Sequence, residues 1–192
     1  MPAGENEPYS VEDLRERVSD GWEPKYVFFW SHRAKGQALG RECFSQWYPA
    51  TFVVDGLLFR TAEHFMMHRK ARLFGDEHTA ALILDADHPG EAKSLGRMVR
   101  DFDEDLWEQS RFKIVVAGSI AKFGQNHELG AYLLGTSPRV LVEASPQDRI
   151  WGIGLAEKDR HARRPERWRG LNLLGFALMK ARAELATANP RA

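Results

Sequence analysis

The stretch ATFVVDGLLFR at 50–60, followed directly by TAEHFMMHRKARLFGD at 61–76, decides the fold class. Its first part holds two short apolar runs joined by Asp55-Gly56. A two-residue Asp-Gly link is a strong hairpin signal, because glycine tolerates the positive φ of a tight turn. From Thr61 the pattern becomes helical through about Phe74, and Gly75 stops it. Asp76 can cap a further helix through about Leu84.

Outward from that segment, Pro89 fits a first helical position and opens a helix through about Val99. Residues 104–123 carry periodic apolar positions (Leu106, Phe112, Ile114, Val115, Ile120, Phe123) and predict a long helix. Asn126 starts another, reaching Leu134, and a final helix covers about 171–187. Two further strands are predicted, the aromatic run Tyr26–Trp30 and the short Val140-Leu141-Val142. Near the start, Ser10 followed by Asp13 predicts a cap for a short acidic helix carrying Val11, Leu14 and Val18. Residues 1–9 read as a loose tail, SHRAKGQALGRE as a polar loop, and 144–170 as a long irregular region. Helices outnumber strands and do not alternate regularly with them. The expected class is therefore α+β, a mainly helical single domain with a small, partly antiparallel sheet. The expected organisation is an acidic extension at 1–24, a domain at 25–187 and a tail at 188–192.

Composition narrows the functional classes. The 192 residues are 43% hydrophobic and 11% aromatic, which excludes a wholly disordered chain. No apolar run approaches the ~18 residues of a membrane span. The start, MPAGENEPYS, lacks the basic and apolar regions of a signal peptide. Cys43 is the single cysteine, so an internal disulfide and a cysteine-only zinc cage are excluded. No membrane partner and a cytoplasmic location are expected. Lys+Arg and Asp+Glu both number 27, but the balance is uneven. Residues 1–24 carry seven acids against Arg15 and Arg17, whereas 157–169 (EKDRHARRPERWR) holds six basic residues and three acids. A neutral whole argues against nucleic-acid binding by bulk charge and leaves room for a local phosphate site.

Two segments concentrate chemistry. In the 61–74 helix, Glu63 and Lys70 lie seven residues apart, nearly two turns, with Met66 and Met67 between them. A carboxylate and an amine beside an apolar pocket supply a general base and a nucleophile, since burial lowers a lysine's pKa. The same spacing also suits a surface Glu and Lys flanking two core methionines. His64 and His68 have the i,i+4 spacing of helical zinc ligands, yet Phe65 stands where the zinc motif has its glutamate. Core or solvated histidines are expected there, and no metal. In VEASPQDRIWGIGL (142–155), Asp148 and Glu143 supply carboxylates and Trp151 an aromatic face, while Gly152 and Gly154 permit close backbone approach. A turn that packs a tryptophan has the same composition. Trp107 begins the long helix beside Asp101, Asp103, Glu104 and Asp105, a favourable dipole arrangement. Lys93 and Arg97, four apart on one helix, suit either a phosphate grip or a solvated face. Neither a G-x-S-x-G elbow nor a Walker A loop is present.

Five stretches taken together resemble the YbiA-like, or NADAR (NAD- and ADP-ribose-associated), family. They are FSQWYPATFVVDG (44–56), TAEHFMMHRKARLFGD (61–76), AKFGQNHELGAYLLGT (121–136), LVEASPQDRIWGIGL (141–155) and WRGLNLLGFALMKAR (168–182). The resemblance implies a mainly helical α+β domain and an N-glycosidase that hydrolyses the bond between ribose and a nitrogen of a base or amine. The substrates it implies are ribosylamino-pyrimidine phosphates of riboflavin biosynthesis, or guanine in DNA carrying ADP-ribose. By motif, Glu63 would be the acidic catalytic residue and Lys70 an amine able to form a Schiff base with opened ribose. Asp148 would be the second catalytic carboxylate, and Trp107 would stack on the base. Trp47, Tyr48, Trp151, Gly152 and Asn172 would form the substrate pocket, with Lys93 and Arg97 as phosphate contacts. No cofactor is implied. A non-catalytic module binding ADP-ribose or a nucleotide is the rival expectation. The chain departs from the family at Gln46-Trp47, where Asn-Phe is frequent, and the acidic extension lies outside the resemblance.

Overall fold

The Asp55-Gly56 link forms the expected hairpin, because both residues adopt the left-handed φ of its turn, 52° and 76°. The computed structural model describes residues 7–33, 36 and 38–188. Most of the tail expected at 1–9, most of that at 188–192, and three residues of the polar loop lie outside the described residues. In chain order the elements are α1 (Val11–Ser19), β1 (Tyr26–Phe29), β2 (Phe52–Val54), β3 (Leu57–Phe59), α2 (Ala62–Leu73), α3 (Glu77–Asp85), α4 (Pro89–Arg97), α5 (Glu104–Gln125), α6 (His127–Leu134), β4 (Val140–Glu143) and α7 (Leu173–Ala188). Single 3-10 turns occupy Arg41–Phe44 and Pro165–Arg167. The fold is α+β and mainly helical. Its strands form two separate ladders, so the partly antiparallel sheet is realised as one antiparallel pair and one parallel pair. Among the described residues no helix is long and apolar enough to cross a membrane.

Two compact units are present, the first discontinuous: Met1–Ser45 with Glu128–Ala192, and Gln46–His127. In the second unit, β2 and β3 pair with Phe52 opposite Phe59. Those rings stack at 5.8 Å, and Phe65 of α2 meets Phe59 edge-on at 5.1 Å. Each of these buried rings contributes roughly 1.5–3 kcal/mol relative to exposure. Helix α2 packs against α3, α4 and α5. Thr61 caps α2, its hydroxyl accepting from the His64 amide, and Gly75 ends the segment at φ 71°. Gly96 of α4 is required by close approach: a Cβ there would meet the Met67 side chain of α2.

In the first unit, β1 runs parallel to β4, with Tyr26 opposite Val140 and Phe29 opposite Glu143. Helix α7 packs on β4. Ser10 caps α1 through the Asp13 amide, as expected from the sequence. The segment 7–9 is not loose. Glu7 pairs at 2.6 Å with Arg182, which is buried in α7 and also donates to Thr136 Oγ1 and the Arg139 carbonyl. Arg15 of α1 donates to the carbonyls of Pro165 and Trp168. The extension is thus tied down by its own Arg15 and by Arg182 of α7, a cation that its composition does not reveal.

Candidate active site

Within the second unit the polar stripe of α2 is built into the interior. Glu63 is 3% exposed, which overturns its reading as a surface acid beside core methionines. It lies in the first turn of α2, where the helix dipole favours negative charge. Its amide donates to the Gln46 carbonyl at 3.0 Å, so the 46–48 segment docks at the start of α2. Lys70 is half-buried near the other end. Its Nζ donates to the Gly96 carbonyl at 2.9 Å and lies 4.1 Å from the Phe102 ring centroid and 5.6 Å from that of Trp107. Gly96 thus serves twice, admitting Met67 and presenting its carbonyl to Lys70. Burial pulls the Lys70 ammonium below the ordinary lysine value, while Glu104 opposes the shift. The two ring faces and the carbonyl favour the charged form, so the amine is poised between opposing effects.

Both histidines of α2 belong to the core, at 1% and 4% exposure. His64 Nδ1 meets Thr61 Oγ1 at 2.8 Å and Nε2 meets the Ala86 carbonyl at 3.0 Å, so both ring nitrogens are engaged. His68 lies 5.3 Å edge-on from Phe59, and burial with two nearby arginines, Arg69 and Arg72, lowers its pKa to about 4. The remaining expected residues of this unit form smaller groups. The Trp47 ring stands 5.7 Å from His88 with Lys93 Nζ 5.9 Å from its centroid. Tyr48 lies 5.5 Å from Lys122 Nζ. Arg97 is exposed on α4.

In the first unit the Asp148 segment is organised by backbone bonds. Asp148 Oδ1 accepts from the amides of Ile150 (2.8 Å) and Trp151 (2.7 Å), closing a tight turn. That turn is laid against 169–174: Arg169 N donates to Ile153 O, Leu171 N to Arg149 O, and Asn172 N to Gly152 O. Asn172 is fully buried at φ 53°, its Oδ1 accepting from Glu143 N and its Nδ2 donating to Leu141 O. It straps β4 to the start of α7. A Cβ on Gly152 would lie 2.9 Å from the Glu143 carbonyl and 3.1 Å from that of Asp148. The close approach that this glycine permits is therefore made by its own chain, where the sequence suggested a ligand. Trp151 is half-buried.

The NADAR domain model matches residues 28–186. This chain belongs to the NADAR domain family. An N-glycosidase of Acanthamoeba polyphaga mimivirus is 42% identical over 165 residues, covering 83% of this chain and 96% of the viral protein. N-glycosidase YbiA of Escherichia coli is 34% identical over 143 residues, covering 74% of this chain and 81% of its own. The NMR structure of Escherichia coli YbiA superposes with a TM-score of 0.70 at 27% identity, covering 93% of this chain and 95% of that one. The enzyme class is that of an N-glycosyl hydrolase. Helix α1 and Glu7 precede the NADAR match, so one partner of the buried Arg182 comes from outside the family region, while Thr136 and Arg139 lie within it.

One group in this NADAR chain escaped the sequence reading. Helix α5 buries Arg111 (6% exposed), Ser119 and Lys122 (1%) on the face that carries Trp107 and Val115. Arg111 pairs with Glu108 at 2.9 Å, and Lys122 Nζ lies near the Tyr48 and Phe123 rings. The signal was available. Positions 107, 111, 115, 119 and 122 follow helical spacing, and a charged residue in register with core positions is the informative exception.

Proposed function

We propose that this protein is a cytoplasmic N-glycosidase acting on a ribose-phosphate or ADP-ribose conjugate, with Glu63, Asp148 and Lys70 as its catalytic residues. The observation that carries it is the pairing, on one helix, of a carboxylate removed from water with an amine whose pKa burial lowers. Neither property serves a solvated helix face. NADAR relatives carry the name N-glycosidase, and cleavage of an N-glycosidic bond can employ a carboxylate and an amine of this kind.

Breaking the bond between ribose C1 and a base nitrogen leaves positive charge on C1 and an electron pair on the nitrogen. A carboxylate such as Glu63 stabilises that charge and orients the water that adds to C1. Protonation of the departing nitrogen by a second acid, the role assigned to Asp148, completes the hydrolysis. In the alternative route the neutral Nζ of Lys70 forms a bond to C1 as the base leaves. Opening of the sugar ring then gives an imine, and water releases ribose while restoring the amine. Trp107, beside Lys70, offers a face for the base, and Trp47, Tyr48, Trp151, Lys93 and Arg97 are assigned to substrate contact. Gly152 and Asn172 are assigned to holding the Asp148 turn.

Incubation in parallel with a ribosylamino-pyrimidine phosphate and with DNA carrying ADP-ribosylated guanine tests the substrate. Release of free base or sugar phosphate from one of them is expected. Saturable binding of both without product would overturn the enzymatic reading. Borohydride trapping of a protein–sugar adduct that disappears in Lys70→Ala selects the imine route, and absence of an adduct selects direct hydrolysis.

A further inference from the structure

The groups described around the Lys70 amine come from one stretch of chain. Gly96 supplies the carbonyl, and Phe102 and Trp107 the two rings. Between α4 and α5 this stretch is a linker, residues 98–103, with no helix or strand of its own. It turns through Asp101 at φ 53°, a left-handed conformation uncommon outside glycine. The Phe102 ring keeps its place over the amine only if that backbone is held from outside.

Asp76 holds it. Its amide donates to the Ala71 carbonyl at 2.9 Å, which anchors Asp76 to the residue after Lys70. Its carboxylate, 1% exposed, accepts from the Arg100 amide at 3.0 Å and from the Arg100 guanidinium at 2.9 Å. Phe102 in turn meets Phe74, the C-cap of α2, edge-on at 5.2 Å.

Capping of α3 does not explain this carboxylate. Asp76 does cap that helix, Oδ1 accepting from the Thr79 amide and Oδ2 from the Thr79 hydroxyl. A hydroxyl suffices for the same task at Ser10 of α1 and Thr61 of α2, and Asp103, the carboxylate that caps α5, is exposed. Nor does Arg100 need the bond for its own burial, since its side chain is 69% exposed. A buried charge is costly, and the two bonds beyond the cap both go to the linker. The Arg100 guanidinium and amide, with Thr79, hold the Asp76 carboxyl well below the usual carboxylate range. Asp76 is therefore ionised throughout the range in which a lysine titrates.

We propose that Asp76, through Arg100, is a positioning residue for Lys70, fixing the linker that carries Phe102 over the amine. The proposal deepens the N-glycosidase reading, and its consequence for turnover rests on that reading. Loss of the tie frees the linker and lets water reach Nζ. The Lys70 ammonium should then titrate higher, towards the ordinary lysine value, because its burial is relieved. Less neutral amine is then present at a given pH. Glu104, the carboxylate whose charge acts on this amine, is left intact in every variant, so the change reads solvation.

The full chain, labelled with carbon-13 at lysine Cε, is titrated by NMR, with the Lys70 signal assigned from Lys70→Arg. Asp76→Ser keeps a hydroxyl cap for α3 and lacks the second oxygen for Arg100. Its Lys70 midpoint should rise by about half a pH unit or more, and kcat near neutral pH should fall roughly 10–100-fold with KM within a few-fold. Arg100→Met leaves the cap untouched and should show a smaller change of the same sign, since the amide still reaches Asp76. Its exposed site lets it decide the matter if Asp76→Ser fails to fold. Arg100→Lys restores a charged partner and should recover most of both readouts. An unmoved or lowered Lys70 titration in Asp76→Ser and Arg100→Met overturns the proposal. So does an equal rise in Arg72→Met, which breaks the exposed Arg72–Glu77 pair between α2 and α3 away from the linker. A raised titration in a protein that releases no product would sink the catalytic reading alone. Wild-type turnover with Lys70 unmoved in the variants would sink the positioning alone.

Discussion

The α2 cluster and the Asp148 turn show two ways of setting a side chain proposed here as catalytic. On α2, Glu63 and Lys70 are set by helix geometry and prepared by exclusion of water: one lies near 3% exposure, the other beneath two aromatic rings. In the turn, Asp148 is prepared by hydrogen bonds, its Oδ1 held by two consecutive amides. Burial lowers the pKa of Lys70, whereas backbone amides fix the orientation of the Asp148 carboxylate. Substitutions in the two regions should therefore fail in different ways. Change of charge should dominate in the first, and change of shape should separate from change of charge in the second.

The largest expected effect is at Glu63. Glu63→Gln keeps the volume and removes the charge, so turnover should fall on the order of 1,000-fold with an unaltered melting temperature. Turnover within a few-fold of wild type would take Glu63 out of the mechanism. At Asp148 two variants sharpen the contrast. Asp148→Asn preserves an oxygen for the Ile150 and Trp151 amides, so activity should drop about 100-fold while stability holds. Asp148→Ala should lose similar activity and also about 1–2 kcal/mol of stability, read from denaturant melts, because two amides lose their acceptor. Equal stabilities of the Asn and Ala variants would show that the turn does not depend on this side chain.

The smallest effect is on acid stability. His68 titrates near 4 in the folded chain against an ordinary value of 6.5. Between those values the unfolded chain binds a proton that the folded chain refuses, so stability falls as pH drops through the window. The loss should be on the order of 1–3 kcal/mol between pH 7 and 4. His68→Gln should flatten the acid limb of the melting profile. An unchanged limb would assign the acid sensitivity elsewhere.

Much of the fold was legible because its signals are local. Thr61, Asp76 and Ser10 mark helix starts through bonds made within one turn, Pro89 does so through its fixed φ at the first helical position, and Asp55-Gly56 closes a hairpin between adjacent strands. The pairing of β1 with β4 was not legible. Tyr26 and Val140 are far apart in the chain, and nothing near either one specifies a parallel partner. The candidate site divides in the same way. Motif resemblance singled out Glu63, Lys70 and Asp148, but the burial of Lys122 and Arg111 shows only through their helical register with core positions, and Gly152 gives no sign that its own chain fills its open side. Asp76 and Arg100 stand 24 positions apart in the sequence, and they meet only because α3 and α4 return the chain to the end of α2.

By itself, then, the sequence determined where helices and turns begin, which period each segment follows, and which carboxylates, amines and rings the chain carries. Those properties depend on φ preferences, capping and side-chain type over a few residues. Only the tertiary structure decided which charges lose water and which are paired. Desolvation and ion pairing are set by neighbours distant in the chain, as with Glu7 and Arg182, or with the rings over Lys70.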